Sequence, residues 1–126
     1  MNTPETLKYS KSHEWVKDLG DGTFEIGLTD FAQDALGDLV FINLPEVDDE
    51  ATAGETVCDV ESVKAVSDVY SPVTGTITEV NETLQDEPQL INEDPYGAWL
   101  FRVTNVTGTV DLLDAAAYEK VCEEEA

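Results

Sequence analysis

Val57-Cys58-Asp59-Val60-Glu61-Ser62-Val63-Lys64-Ala65-Val66-Ser67-Asp68-Val69-Tyr70 is the stretch whose reading decides the fold. Val57 to Val60 and Val66 to Tyr70 are two β-rich runs, and the few residues between them must reverse the chain, so the segment reads as a hairpin over about 57–70. A tight hairpin favours Asn-Gly, Asp-Gly or another glycine-bearing pair at its tip. The tip here is Glu61-Ser62-Val63-Lys64-Ala65. A turn that departs from local preference is a place where function is expected to have overridden it.

Lys64 is the only basic residue between Lys17 and Arg102, an interval that holds twenty acidic ones. A Schiff-base or general-base lysine needs its neutral form favoured, by apolar burial or by a neighbouring cation. Asp59, Glu61 and Asp68 favour the charged ammonium instead, which argues against a catalytic amine. Two readings remain open from spacing alone: an attachment point on a protruding tip, or an ordinary surface lysine.

Working outward, the chain is mostly short β-runs separated by turns. Tyr9 to Val16 reads as one strand, leading through Leu19-Gly20-Asp21-Gly22 to a second from Thr23 to Leu28. Thr29 or Asp30 can cap a short helix over Phe31 to Leu36, which Gly37 would end. Val40-Phe41-Ile42 is a strand closed by Leu44-Pro45, and Val47 to Glu50 is an acidic loop. Gly75 introduces a strand through Val80, and a turn at Asp94 to Gly97 precedes a strand from Ala98 to Val103. Over about 110–124 the period changes: Leu113, Ala117 and Val121 fall four apart, as on one face of a helix, with Asp111 suited to its first turn. The acidic tail Glu123-Glu124-Glu125 is expected to fray. Gly37, Leu39, Ile42 and Asn43 recur 38 positions later as Gly75, Ile77, Val80 and Asn81, a faint echo of the kind a two-fold related β-sandwich would leave.

The totals narrow the function. A chain of 126 residues suits one domain over 1–126, and no apolar run is long enough for a membrane helix. The start carries no basic stretch followed by an apolar one, so a bacterial-type cytoplasm is expected. A formal charge of −22 makes nucleic acid and anionic membranes poor partners, favours a monomer, and steers toward positively charged surfaces. Cys58 and Cys122 are far apart and read as free thiols, and His13 has no companions for a zinc site, so no metal is expected. No Gly-x-Ser-x-Gly sequence and no phosphate-binding glycine loop is present, so the chain does not read as an enzyme.

Val60 to Gly75 resembles the lipoyl-lysine motif of glycine cleavage H proteins, and three further blocks resemble that family, all in the right order along the chain: Tyr9 to Val16, Gly27 to Asp34 followed by Leu36 to Phe41, and Pro88 to Leu100. The likeness runs from Leu7 to about Glu125. It implies a mainly β fold, a barrel-sandwich hybrid of the lipoyl/biotinyl type with a short internal helix and a C-terminal helix. It also implies lipoate amide-linked to Lys64, within a recognition hairpin of Glu61, Ser62, Val63 and Ala65 read by a lipoate-attaching enzyme. The implied partners are the pyridoxal-phosphate glycine decarboxylase, which loads an aminomethyl group, the aminomethyltransferase, which passes it on, and dihydrolipoyl dehydrogenase, which reoxidises the dithiol. The chemistry then belongs to the cofactor and the protein is a non-catalytic carrier. In the same reading Ser12, Glu14 and Asp68 form a cleft in which the loaded arm shelters, and docking starts from the acidic face around Glu61 and Asp68.

Two departures accompany the resemblance. Many relatives have histidines in the short helix where this chain has Phe31 and Ala35, with Phe31 expected in the core, and the Tyr96 to Leu100 segment is one residue short. Among rivals, biotin domains flank their lysine with methionines, and the only methionine here is Met1. Lipoyl domains of 2-oxoacid dehydrogenases show Asp-Lys-Ala, which is absent. An H-like protein that mainly relays lipoate to other enzymes would have the same motif, and a plain acidic interaction module would leave Lys64 unmodified.

Overall fold

A computed structural model describes residues 2–125. Nine strands and four helices follow one another as β1 (Lys8–Tyr9), β2 (Glu14–Asp18), β3 (Phe24–Leu28), α1 (Asp30–Leu36), β4 (Leu39–Asn43), β5 (Glu50–Ala51), β6 (Thr56–Ser62), β7 (Val66–Tyr70), β8 (Val73–Val80), α2 (Thr83–Asp86), α3 (Leu90–Glu93), β9 (Phe101–Thr109) and α4 (Ala115–Glu125). They form a six-stranded sheet in the order β1-β2-β3-β9-β8-β5 and a three-stranded sheet in the order β4-β6-β7. Every strand pair is antiparallel. This is the expected mainly β architecture of two open sheets with a short internal helix and a C-terminal helix. The two stretches of the internal echo fall in different sheets, 39–43 in the small one and 73–80 in the large one.

The core lies between the sheets. Val16, Ile26, Ile77 and Val103 from the large sheet meet Ile42, Val60 and Val69 from the small one, all almost fully buried. A second cluster forms on the outer side of the large sheet, where Tyr9 and Trp15 receive Ala115, Tyr118 and Cys122 of α4. Strand β2 therefore has apolar neighbours on both faces: Val16 joins the first cluster and Trp15 the second. Gly27 stands opposite Trp15 in the β2–β3 pairing, and a Cβ there would lie 2.5 Å from the indole. Glycine at that position lets the ring lie flat on the strand. The Trp15 indole N–H donates to the Pro95 carbonyl at 3.0 Å, so the buried ring leaves no polar atom unpaired.

Several boundaries differ from the sequence reading. The run 9–16 is two strands, because Ser10 to His13 form a turn in which the His13 N–H donates to the Ser10 carbonyl and His13 takes a φ of 75°. The strand placed at 98–103 runs over Phe101–Thr109; Asn105, at φ 54°, sits where the β8 register shifts between Thr74 and Thr76, and this bulge carries the pairing past residues that look like a turn. Helices α2 and α3 are four residues each, too short to leave a period. The C-terminal helix begins at Ala115 rather than 110, because Asp114, not Asp111, accepts the free Ala117 N–H at its start. Its buried face is accordingly Ala115, Tyr118 and Cys122, with Leu113, Ala117 and Val121 at the margin. No helix among the described residues is long and apolar enough to cross a membrane.

Candidate functional site

The Lys64 hairpin forms as the alternation predicts, with β6 and β7 paired from Thr56 and Tyr70 up to Glu61 and Val66. Its tip does obey turn chemistry, through a residue the sequence reading undervalued. The Ser62 hydroxyl accepts from the Lys64 and Ala65 N–H groups at 3.3 and 3.1 Å, and the Ser62 N–H donates to the Ala65 carbonyl at 2.8 Å. Val63 N–H donates to the Asp38 carbonyl at 3.0 Å, which ties the tip to the segment just after α1. Lys64 itself is exposed and makes no ion pair among the described residues. Its stem lies over Gly37, with Cε 3.4 Å from where a Cβ on that glycine would stand.

Gly37 ends α1 at a φ of 80°, and the other end of the helix is capped by Thr29, whose hydroxyl accepts from Ala32 N–H. Along α1 runs a cleft of about 190 Å³. Phe31, Ala32, Ala35 and Leu36 of the helix, with Leu28, Val60 and Val69, give it apolar walls. Ser12, His13, Glu14, Ser67, Asp68 and Glu125 supply its polar groups. Glu14 pairs with Leu28, and the Thr29 N–H donates to the His13 carbonyl, so both polar residues stand at the start of α1, while Lys64 lies at its end. The cleft thus holds a buried carboxylate, and the helix that walls it ends at Gly37, beneath the exposed lysine.

That carboxylate is unusual. Glu14 is only 1% exposed. One of its oxygens, Oε1, accepts from the Ser10 hydroxyl at 2.7 Å and from the Ser12 hydroxyl. No cation pairs with it among the described residues. Burial pushes its pKa up to about 7, against the hydroxyls of Ser12 and Ser10 and the Tyr70 N–H, which favour the charged form. A carboxyl so poised can accept a cation that enters the cleft.

The structure brings Ser12, Glu14 and Asp68 to one cleft, as the sequence reading grouped them. Asp68 is exposed and stands at the rim; in the strand register it shares the row Asn43, Asp59, Asp68. Glu61 does not line the cleft: it lies in the row Phe41, Glu61, Val66. Phe31, expected in the core, is half-buried, lines the cleft and stacks on His13 with ring centroids 4.7 Å apart. Ser10, His13 and Glu125 were missed. The spacing Ser10, Ser12, Glu14 was the available clue to the first; Glu125 lies 112 residues from His13, and nothing local announces it.

The glycine cleavage H-protein family model matches residues 7–125. The chain belongs to the glycine cleavage H-protein family. A glycine cleavage system H protein from Vibrio parahaemolyticus is 54% identical, over 96% of this chain and 98% of its own length. One from Escherichia coli is 49% identical, over 98% of each. The crystal structure of a glycine cleavage system H protein from Mycobacterium marinum superposes with a TM-score of 0.89 at 41% identity, covering 98% of this chain and 99% of that one. In this family member the helix facing the cleft has Phe31 and Ala35, so that wall is apolar, and the single imidazole comes from His13, stacked on Phe31.

Proposed function

We propose that this chain is a single carrier domain with lipoate amide-linked to Lys64, serving the glycine cleavage system without catalysing a reaction. The observation that carries the reading is a cleft holding the buried Glu14, walled by a helix that ends beneath the exposed Lys64, with neither group ion-paired among the described residues. When bound, lipoate supplies the disulfide that is reduced as the aminomethyl cargo is taken up. The protein's own residues do the rest. Ser62 fixes the turn that presents Lys64 to a lipoate-attaching enzyme, and Glu61, Val63 and Ala65 flank it there. The apolar walls suit a hydrocarbon stem, and Glu14, assisted by Ser12 and with Asp68 at the rim, suits a protonated amine at its end. Tethering raises the local concentration of the cargo at each docked enzyme. The partners are glycine decarboxylase, aminomethyltransferase and dihydrolipoyl dehydrogenase, met in a bacterial-type cytoplasm. The formal charge of −22 supports docking surfaces on those enzymes that are positively charged.

The test is the intact mass, with tryptic mapping, after expression in a lipoate-competent host. A lipoyl increment on Lys64 and none on a Lys64→Arg variant is the expected result. An unmodified Lys64 in that host would overturn the reading.

A further inference from the structure

At the end of the cleft away from Lys64 stands a group from the opposite end of the chain. Glu125, in the last turn of α4, lines the cleft together with Glu14, Ser12 and Asp68. Its Oε1 lies 3.0 Å from Nε2 of His13, and no hydrogen bond among the described residues engages its other oxygen. A terminal acidic tail that merely frays would have no such partner.

The partner is itself held by a chain of hydrogen bonds whose direction can be worked out. A carboxylate only accepts, so His13 Nε2 carries the hydrogen toward Glu125. In the neutral ring Nδ1 then accepts, and its neighbour at 2.7 Å is the Tyr118 hydroxyl. With the ring in that form Tyr118 donates to His13, and burial keeps its phenol protonated by pushing the pKa up. Its oxygen in turn accepts from the Thr29 hydroxyl at 2.6 Å, and Thr29 accepts from Ala32 N–H at 3.2 Å. Every hydroxyl in this sequence both donates and accepts, so none of these buried groups is left unpaired. The imidazole is further fixed by stacking on Phe31 and by the edge of Tyr118 at 5.6 Å. His13 holds this place on a left-handed backbone, φ 75°, which few residues besides glycine adopt and which histidine and asparagine tolerate better than most.

We propose that the last turn of α4 is the end wall of the arm cleft: Glu125 presents a second carboxylate to the arm's protonated amine, and His13 is the positioning residue that aims it. The inference rests on the carrier reading above and adds the C-terminal helix to the cleft. Glu14 is buried and poised to neutralise a cation, whereas Glu125 is half-exposed and guards the side open to water.

The experiment measures how long the loaded arm of the isolated, lipoylated protein keeps its aminomethyl cargo, with no partner enzyme present. Glu125→Gln is expected to shorten that lifetime about threefold, the scale of one half-exposed ion pair, with thermal midpoint and extent of lipoylation unchanged. Glu124→Gln, one residue away on the same turn and outside the cleft lining, removes the same charge and is expected to change nothing. Equal shortening by both variants would make the effect one of bulk charge and overturn the proposal. His13→Asn keeps a residue that tolerates the left-handed backbone and should match Glu125→Gln, with no further loss in the double variant. Additive losses would overturn the positioning role. If Glu125→Gln behaves as wild type while Glu14→Gln shortens the lifetime, the proposal fails and the carrier reading stands. If neither variant changes it, sheltering in the cleft fails as well.

Discussion

Two buried carboxylates face opposite situations. Glu25, on β3, has a complete partner: Arg102 on β9 donates to its Oε2 from two nitrogens at 2.9 and 3.1 Å, reaches Glu79 at 3.0 Å, and lies 4.0 Å over the Trp99 ring. Glu14, even more deeply buried, has hydroxyls and no cation among the described residues, while Lys64, at the other end of α1, is exposed and makes no ion pair among them. The first arrangement is finished and has structural value. The second keeps a positive charge and a negative one apart along a cleft, as an arrangement must if each is to meet something from outside. In a chain with six Lys and Arg against 28 Asp and Glu, leaving Lys64 unpaired is conspicuous.

The contrast can be broken first at Glu14 itself. Its folded pKa of about 7 is above the ordinary value of 4.5. The native state therefore binds more protons than the unfolded state between those values, and stability from this group is full below pH 4.5 and lost as pH rises through 7. Chemical denaturation across that range should show Glu14→Gln gaining on wild type by on the order of 3 kcal/mol. A gap that does not change with pH would mean Glu14 is already satisfied as an anion, like Glu25. The matching change on the other side is Arg102→Met, which strands Glu25 and should cost about 2 kcal/mol in a urea titration, with lipoylation of Lys64 unaffected. A third comparison concerns the cargo. Glu14→Gln should shorten the lifetime of the loaded arm about tenfold at pH 8, the scale of one charge-assisted hydrogen bond. The difference should close as pH falls below 7, with its midpoint drawn lower by the seated cation. The smallest effect is expected at Gly37→Ala: about 1 kcal/mol of strain at positive φ, with a measurable slowing of lipoylation because the new methyl group meets the Lys64 stem.

Much of this was legible in the sequence. The isolated Lys64 between two β-runs marked the hairpin, and Thr29 and Gly37 marked both ends of α1, because caps and charge isolation are local properties. Glu14 and Ser12 could be named through the family resemblance, yet the depth of Glu14 could not. That depth comes from a two-sided β2 and from a turn at Ser10 to His13 inside a stretch that reads as one strand. The tip was misjudged because a serine hydroxyl can stand in for the glycine a turn usually wants. The helix α4 was foreseen but rotated, since Asp114 rather than Asp111 starts it, and the value of its last residue depends on a contact 112 positions away.

Helix α1 has one more consequence. Its seven residues span roughly 10 Å, between Gly37 beneath the lysine and Thr29 beside His13 and Glu14, which cap its two ends. The helix is therefore a ruler laid along the groove. An acyl chain much shorter than this would leave its head group stranded among Ala35 and Leu36, against hydrocarbon, and a much longer one would push its tip past the carboxylates into water. In the proposed carrier, the length of one small helix would thus set which chain length is sheltered.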